Sequence, residues 1–168
     1  MRTLTALISG FAWAVDGLCR IGSWLGGVAL VAILALVCVE VAARSLFGTS
    51  TLIADEMGGY LNAALLYFGM PWALRTGSFI RVEFLYGKLR GPMRQVADWF
   101  IVLVSLLYTA LVGYTIWGYV LRNYAMDIRS WQFSRTPLYL PQSTMLFGFL
   151  VLGLLLVRYA LQRVRNIP

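Results

Sequence analysis

The sequence contains no histidine, only two cysteines and very little charge. Without histidine there is no bis-histidine haem site, and the usual zinc and facial-triad sites lose their commonest ligand. Cys19 and Cys38 lie far apart and form no CxxC motif. A thiol oxidoreductase therefore lacks its redox pair, and both cysteines read most simply as small apolar residues. No catalytic, cofactor or metal site is expected from this inventory. Charged residues make up 12% of the chain, about half the share in a soluble domain. Hydrophobic residues reach 60%, with a mean hydropathy of +0.76. That balance places the chain among integral membrane proteins before any motif is read. The formal charge of +7 does not point to nucleic acid, because the arginines sit between apolar stretches rather than along one face.

Residues 3–20 come first. Leu4, Leu7, Ile8, Phe11, Val15 and Leu18 fall on one helical face, while Ser9, Asp16 and Arg20 interrupt any continuous apolar run. This predicts an amphipathic helix lying at the membrane surface. A cleaved signal peptide is the rival reading, on Ala12-Trp13-Ala14, but the flanking charge and apolar stretch are weak for one. A charge-free span follows from Ile21 to Val39, with Gly22 and Gly26 at the GxxxG spacing that admits a close helix neighbour. The second span, Met57 to Leu74, holds Asn62, which needs a hydrogen-bond partner on another helix, and Pro71, which removes a backbone donor. Gly91-Pro92 marks a turn before the third span, Trp99 to Leu121. Pro137 or Pro141 is expected to start the fourth helix. The predicted fold is all-α and integral to the membrane: one domain, 1–168, with four transmembrane helices at about 21–43, 55–75, 96–122 and 138–160 after the interfacial helix.

Four crossings put both termini on one side. Ten of the 14 Lys and Arg residues then share that side with the central loop, which carries Arg75, Arg81, Lys88, Arg90 and Arg94. The bias predicts cytoplasmic termini. The spans themselves carry no charge, and every charge lies at a predicted span end. A self-contained transporter usually places an ionisable residue or a broken helix at mid-depth. Glu40 and Arg44 stand four apart with the acid first, the favourable order for a helical pair. They serve either as a local salt bridge or to orient the turn and meet a partner chain. Asp55 and Glu56 complement the dipole of the helix they open.

The order of these features carries a resemblance. VEVAAR-SLFGTS (39–50), then ADE (54–56), then YFGMPWALRTGSFIRVE (67–83) resembles the small membrane subunit, DctQ-like, of tripartite ATP-independent periplasmic (TRAP) transporters. The family pattern is E-x-x-x-R, an acidic pair, F-x-G and R-x-G-x-H-I-x-V-[DE]. Here Gly69 follows Phe68 directly, and Phe79 stands at the histidine position. The resemblance implies a non-catalytic anchor in the bacterial inner membrane. It would pack on a large elevator-type subunit that takes up an organic acid with sodium, delivered by a periplasmic binding protein. Glu40, Arg44, Asp55, Glu56, Asn62, Gly69, Arg75 and Gly77 become candidate subunit-interface residues. Arg129 and Arg135, in the second outer loop, become candidate contacts for the binding protein. The alternative is a small homo-oligomeric transporter that uses Glu40 as its ion site; a membrane-embedded enzyme has no paired mid-depth acids to work with.

Overall fold

The computed structural model describes residues 2–77 and 92–165. Among these it forms four helices: α1 (Arg2–Phe47), α2 (Ala54–Arg75), α3 (Pro92–Ala125) and α4 (Tyr139–Arg165). Three of them contain stretches long and apolar enough to cross a membrane: Ser9–Phe47, Met93–Ala125 and Tyr139–Leu161. The chain is thus an all-α, multi-pass membrane protein. α2 is long enough at 22 residues, about 33 Å, but Asp55, Glu56, Asn62 and Arg75 lower its apolarity.

The expected surface helix and first span are one helix in the structure, with no break at Arg20–Ile21. The reason is a continuous buried seam. Val15, Cys19, Gly22, Gly26, Ala29 and Glu40 are buried, with Ile33 and Leu36 partly so between them. The spacing alternates four and three, the 3.5-residue repeat of a left-handed helix pair. Asp16 and Arg20 do not interrupt it, because Asp16 is paired beside the seam and Arg20 faces outward. Phe11, Val15 and Leu18 therefore pack against the chain's own helices rather than lipid. The side chains of Leu4, Leu7 and Ile8 lie outside those described.

α4 is the hub. It touches α1, α2 and α3, while α1 pairs mainly with α2. One end of the bundle closes on Val15, Cys19, Val151 and Leu155, flanked by Phe11, Trp72, Phe147 and Tyr159. Glycine sets the helix separations. A Cβ on Gly22 would sit 2.8 Å from the Phe68 carbonyl oxygen, while one on Gly26 would meet the Leu65 carbonyl at 3.5 Å and Gly69 N at 3.6 Å. The GxxxG pair thus seats α1 on the Leu65–Gly69 turn of α2. On the other side of α2, a Cβ on Gly148 would strike the Tyr67 carbonyl oxygen and lie 2.9 Å from its carbon. Pro71, four residues on, supplies no N–H to that carbonyl. Its free face is where α4 comes closest. Tyr67–Phe149 (5.7 Å) and Phe68–Phe147 (5.4 Å) ring pairs flank the contact.

The helix ends follow local chemistry. α1 stops at Phe47, before Gly48 at φ +63°. α2 ends where Thr76 N–H donates to Trp72 O (2.9 Å) and Gly77, at φ +73°, donates to Leu74 O (3.2 Å), the glycine C-terminal cap. α3 begins at Pro92, as the Gly91-Pro92 pair suggests, and α4 begins between the two candidate prolines. Pro141 occupies its first turn, where a backbone N–H has no intrahelical acceptor.

Candidate functional site: polar clusters at the two ends of the bundle

The connections 48–53 and 126–138 lie at one end of the bundle with the C-termini of α1 and α3. Glu40 is buried there at the last turns of α1, 7% exposed. Its Oε1 accepts from Arg44 Nε (2.6 Å) and Ser50 Oγ (2.6 Å). Its Oε2 accepts from Thr51 N–H (3.0 Å) and from the Thr51 hydroxyl. Four donors on one carboxylate pin the turn back onto the helix that precedes it, with Leu52 held at φ +60°. Arg44 is itself largely exposed. The structure holds both the local Glu40–Arg44 ion pair and the contacts that orient the turn.

Glu56 performs a related task across the chain. It is 5% exposed on the first turn of α2, where it accepts from Tyr60 Oη (2.9 Å) and from Ser134 Oγ (2.6 Å), 78 residues away. Ser134 belongs to a short hairpin between α3 and α4, closed by Ser130 N–H to Thr136 O (2.9 Å) and Leu138 N–H to Ile128 O (3.0 Å). Asp127 (φ +43°) and Arg135 (φ +46°) take left-handed backbone within it. The hairpin tip presents Trp131 and Phe133 fully to the outside. Arg129 is exposed and grips Asp127 with a bidentate guanidinium; Arg135 is exposed as well. Asn123 Nδ2 donates to Gln142 Oε1 (2.7 Å) and joins the flanking helix ends.

At the other end Asp16 lies between two arginines. Arg75 Nε stands 2.7 Å from its Oδ1, and Arg158 Nη1 binds the same oxygen. The three residues come from α1, α2 and α4, so one carboxylate ties three helices. Arg75 also stacks over the Trp72 ring at 4.9 Å. Arg158 Nε is buried with no hydrogen-bond partner among the described residues. Along α1, Asp16 and Glu40 are 24 residues apart, about 36 Å, a little more than the ~30 Å hydrocarbon core of a bilayer.

The candidate residues are thus distributed, not convergent. Glu40 and Arg44 join one cluster and Glu56 a second at the same end, while Arg75 belongs to the opposite end. Gly69 lies under Gly26, and Gly77 caps α2. Asp55 and Asn62 are exposed on α2, and the helix partner expected for Asn62 is not found among the described residues. Phe79 lies outside the described residues. Asp16, Arg158 and Ser134 were not singled out from the sequence. Asp16 carried a signal, as the sole acid before Glu40; Ser134 carried none. No group of three or more Cys, Asp or Glu among the described residues could hold a metal ion.

Residues 33–167 match the family described as "Tripartite ATP-independent periplasmic transporters, DctQ component". The chain belongs to this family. The match takes in the connections 48–53 and 126–138, the Glu40 and Glu56 clusters, Arg75 and Arg158, and leaves out most of α1. Searches of curated proteins and of solved structures returned no match. As a DctQ component the chain is a subunit of a transporter and not an enzyme.

Proposed function

We propose that this DctQ component is a rigid scaffold subunit, one membrane domain over 1–168, that anchors a large elevator-type membrane subunit in the bacterial inner membrane. The transporter would take up an organic acid with sodium, delivered by a periplasmic binding protein. The observation that carries the reading is the use made of the charges. Glu40, Glu56 and Asp16 are each held by donors of this same chain and fix turns and helices in place. Such groups are poor candidates for an ion site that must fill and empty during transport. The four helices also run without a break, whereas transport sites are commonly built on interrupted ones. α2 packs along α1 and so crosses with it. The charge bias puts both termini in the cytoplasm and the Glu40 and Glu56 clusters toward the periplasm.

Extensive apolar surface on α1 and α3 remains for lipid and for the large subunit. Asn62, exposed on α2 and without a hydrogen bond among the described residues, would find its partner there, and Asp55 and Gly69 lie on the same helix. The exposed Arg129 and Arg135 would meet the binding protein. Gentle affinity purification of the tagged chain from its native membranes, followed by intact-complex mass measurement, tests the scaffold. A stoichiometric complex with one larger multispan protein is expected; a homo-oligomer alone overturns the reading. Glu40→Gln separates the same alternatives. A scaffold keeps measurable uptake in proteoliposomes, whereas a transporter with Glu40 as its ion site loses it entirely.

A further inference from the structure

A shallow groove of about 340 Å³ opens between α1 and α2 near the Asp16 end, lined by Arg20, Ser23, Trp24, Gly27 and Trp72. Its composition is graded along the helix. Arg20 and Ser23 stand nearer the bundle end, and Trp24 and Gly27 lead inward toward mid-depth. Gly27 has nothing within 4 Å of the place where a Cβ would be, so it leaves the inner floor of the groove open. Trp72 forms the opposite wall and carries Arg75 on its ring. Arg20 is exposed and makes no ion pair among the described residues. Around this end the described parts of α1, α2 and α4 bring together Arg20, Arg75 and Arg158 against the single carboxylate of Asp16. The groove therefore lies in a field with positive charge in excess.

We propose that this groove binds an anionic phospholipid, its phosphate held by Arg20 and Ser23 and its acyl chain laid over Gly27 between Trp24 and Trp72. Arginine supplies a permanent charge and a fork of donors suited to phosphate oxygens. Paired tryptophans suit the boundary between headgroups and chains, where an indole ring is buried and its N–H still finds an acceptor. The volume lies at the low end for ligand pockets, enough for a headgroup and the first part of a chain. A lipid fits better than a protein segment because the polar and apolar walls follow each other along the membrane normal, in the order in which a phospholipid presents phosphate and chain. By the charge bias this is the cytoplasmic leaflet, whose anionic lipids attract such clusters. A lipid wedged here would touch α1 and α2 at once and steady the end of the bundle.

The test uses the purified complex in mild detergent, exchanged into phosphatidylcholine with a minor share of phosphatidylglycerol, and native mass measurement of retained lipid. Retention of phosphatidylglycerol over phosphatidylcholine is expected, with about a fivefold loss in Arg20→Gln, the worth of one cation near an anionic headgroup. Arg20→Lys should restore much of the retention, which separates charge from packing. Arg20 is exposed, so neither variant threatens the fold. Equal retention of both lipids, or undiminished phosphatidylglycerol in Arg20→Gln, overturns the proposal. So does a photo-crosslinker at position 24 that captures the large subunit rather than lipid. The readout is bound lipid, so it stands apart from whether the chain acts as a scaffold.

Discussion

Gly148→Ala should loosen the contact on which α4 and α2 meet. The new Cβ would strike the carbonyl oxygen of Tyr67 and lie 2.9 Å from both the Tyr67 carbonyl carbon and its Cβ. Carbon atoms rest about 3.5–4.0 Å apart, so the helices must part by roughly 1 Å or the local backbone must twist. Overpacking of this kind costs about 1–3 kcal/mol. Parting the helices also weakens the Tyr67–Phe149 and Phe68–Phe147 ring contacts, about 0.5–1.5 kcal/mol each. Alanine's better helix propensity returns about 1 kcal/mol. The net expectation is a loss of about 1–3 kcal/mol, read as a fall of a few degrees in the melting temperature of the detergent-solubilised chain, at roughly 2–4 °C per kcal/mol. Gly59→Ala is the control, since a Cβ there meets nothing within 4 Å. Shortening Tyr67 should not rescue Gly148→Ala, because the main obstacle is backbone. Gly59→Ala should gain the helix propensity without the clash, so a Gly148→Ala chain that melts as high as Gly59→Ala would refute the reasoning.

The two glycines of the GxxxG motif should not respond alike: Gly22→Ala, at 2.8 Å from the Phe68 carbonyl, lowers the melting temperature, and Gly26→Ala, at 3.5 Å from its nearest neighbour, leaves it unchanged or raises it through alanine's better helix propensity. Asp16→Asn should cost about 1–3 kcal/mol, below the ~3–5 of a fully buried pair because these side chains are roughly a quarter exposed; adding Arg75→Gln should recover part of the loss in thermal unfolding, and no recovery would count against the shared carboxylate. Ser134→Ala should release the hairpin from Glu56, seen as faster hydrogen exchange across 128–138 with little change in melting temperature; unaltered exchange would mean that the backbone bonds alone hold it.

The helices were legible because they obey simple rules. Apolar length and proline and glycine placement mark most helix starts and stops, and the DctQ motif order lies in one contiguous segment. What escaped was anything set by packing between distant segments. The seam from Val15 to Glu40 crosses Asp16 and Arg20, and a composition window sees two charges there where the structure sees one paired group and one outward-facing group. Its central positions are Gly22, Gly26 and Ala29, which score poorly as hydrophobic residues, yet the two glycines let α2 approach α1 closely. The partners of Asp16 lie 59 and 142 positions away, at Arg75 and Arg158. No local pattern pairs them, and Ser134 is one of several loop serines with nothing to mark it.

Charge placement also argues for what kind of subunit this is. The charged side chains described on α2, α3 and α4 lie toward the helix ends, and α1, which holds Asp16 and Arg20 within its N-terminal half, carries none between Arg20 and Glu40. At each end acids are spent on architecture: the partly buried Asp16 holds three helices, and the buried Glu40 and Glu56 hold a turn and a hairpin. A moving transport element needs the opposite, with polar groups at mid-depth left free for a ligand and backbone that can break and re-form. A stator needs fixed ends and a closely packed middle. Close glycine contacts on both faces of α2 meet that second requirement, since helices seated backbone to backbone have few alternative packings to move between. A scaffold of this design is expected to gain its function from what it does not do: it stays still while a partner moves against its exposed apolar faces.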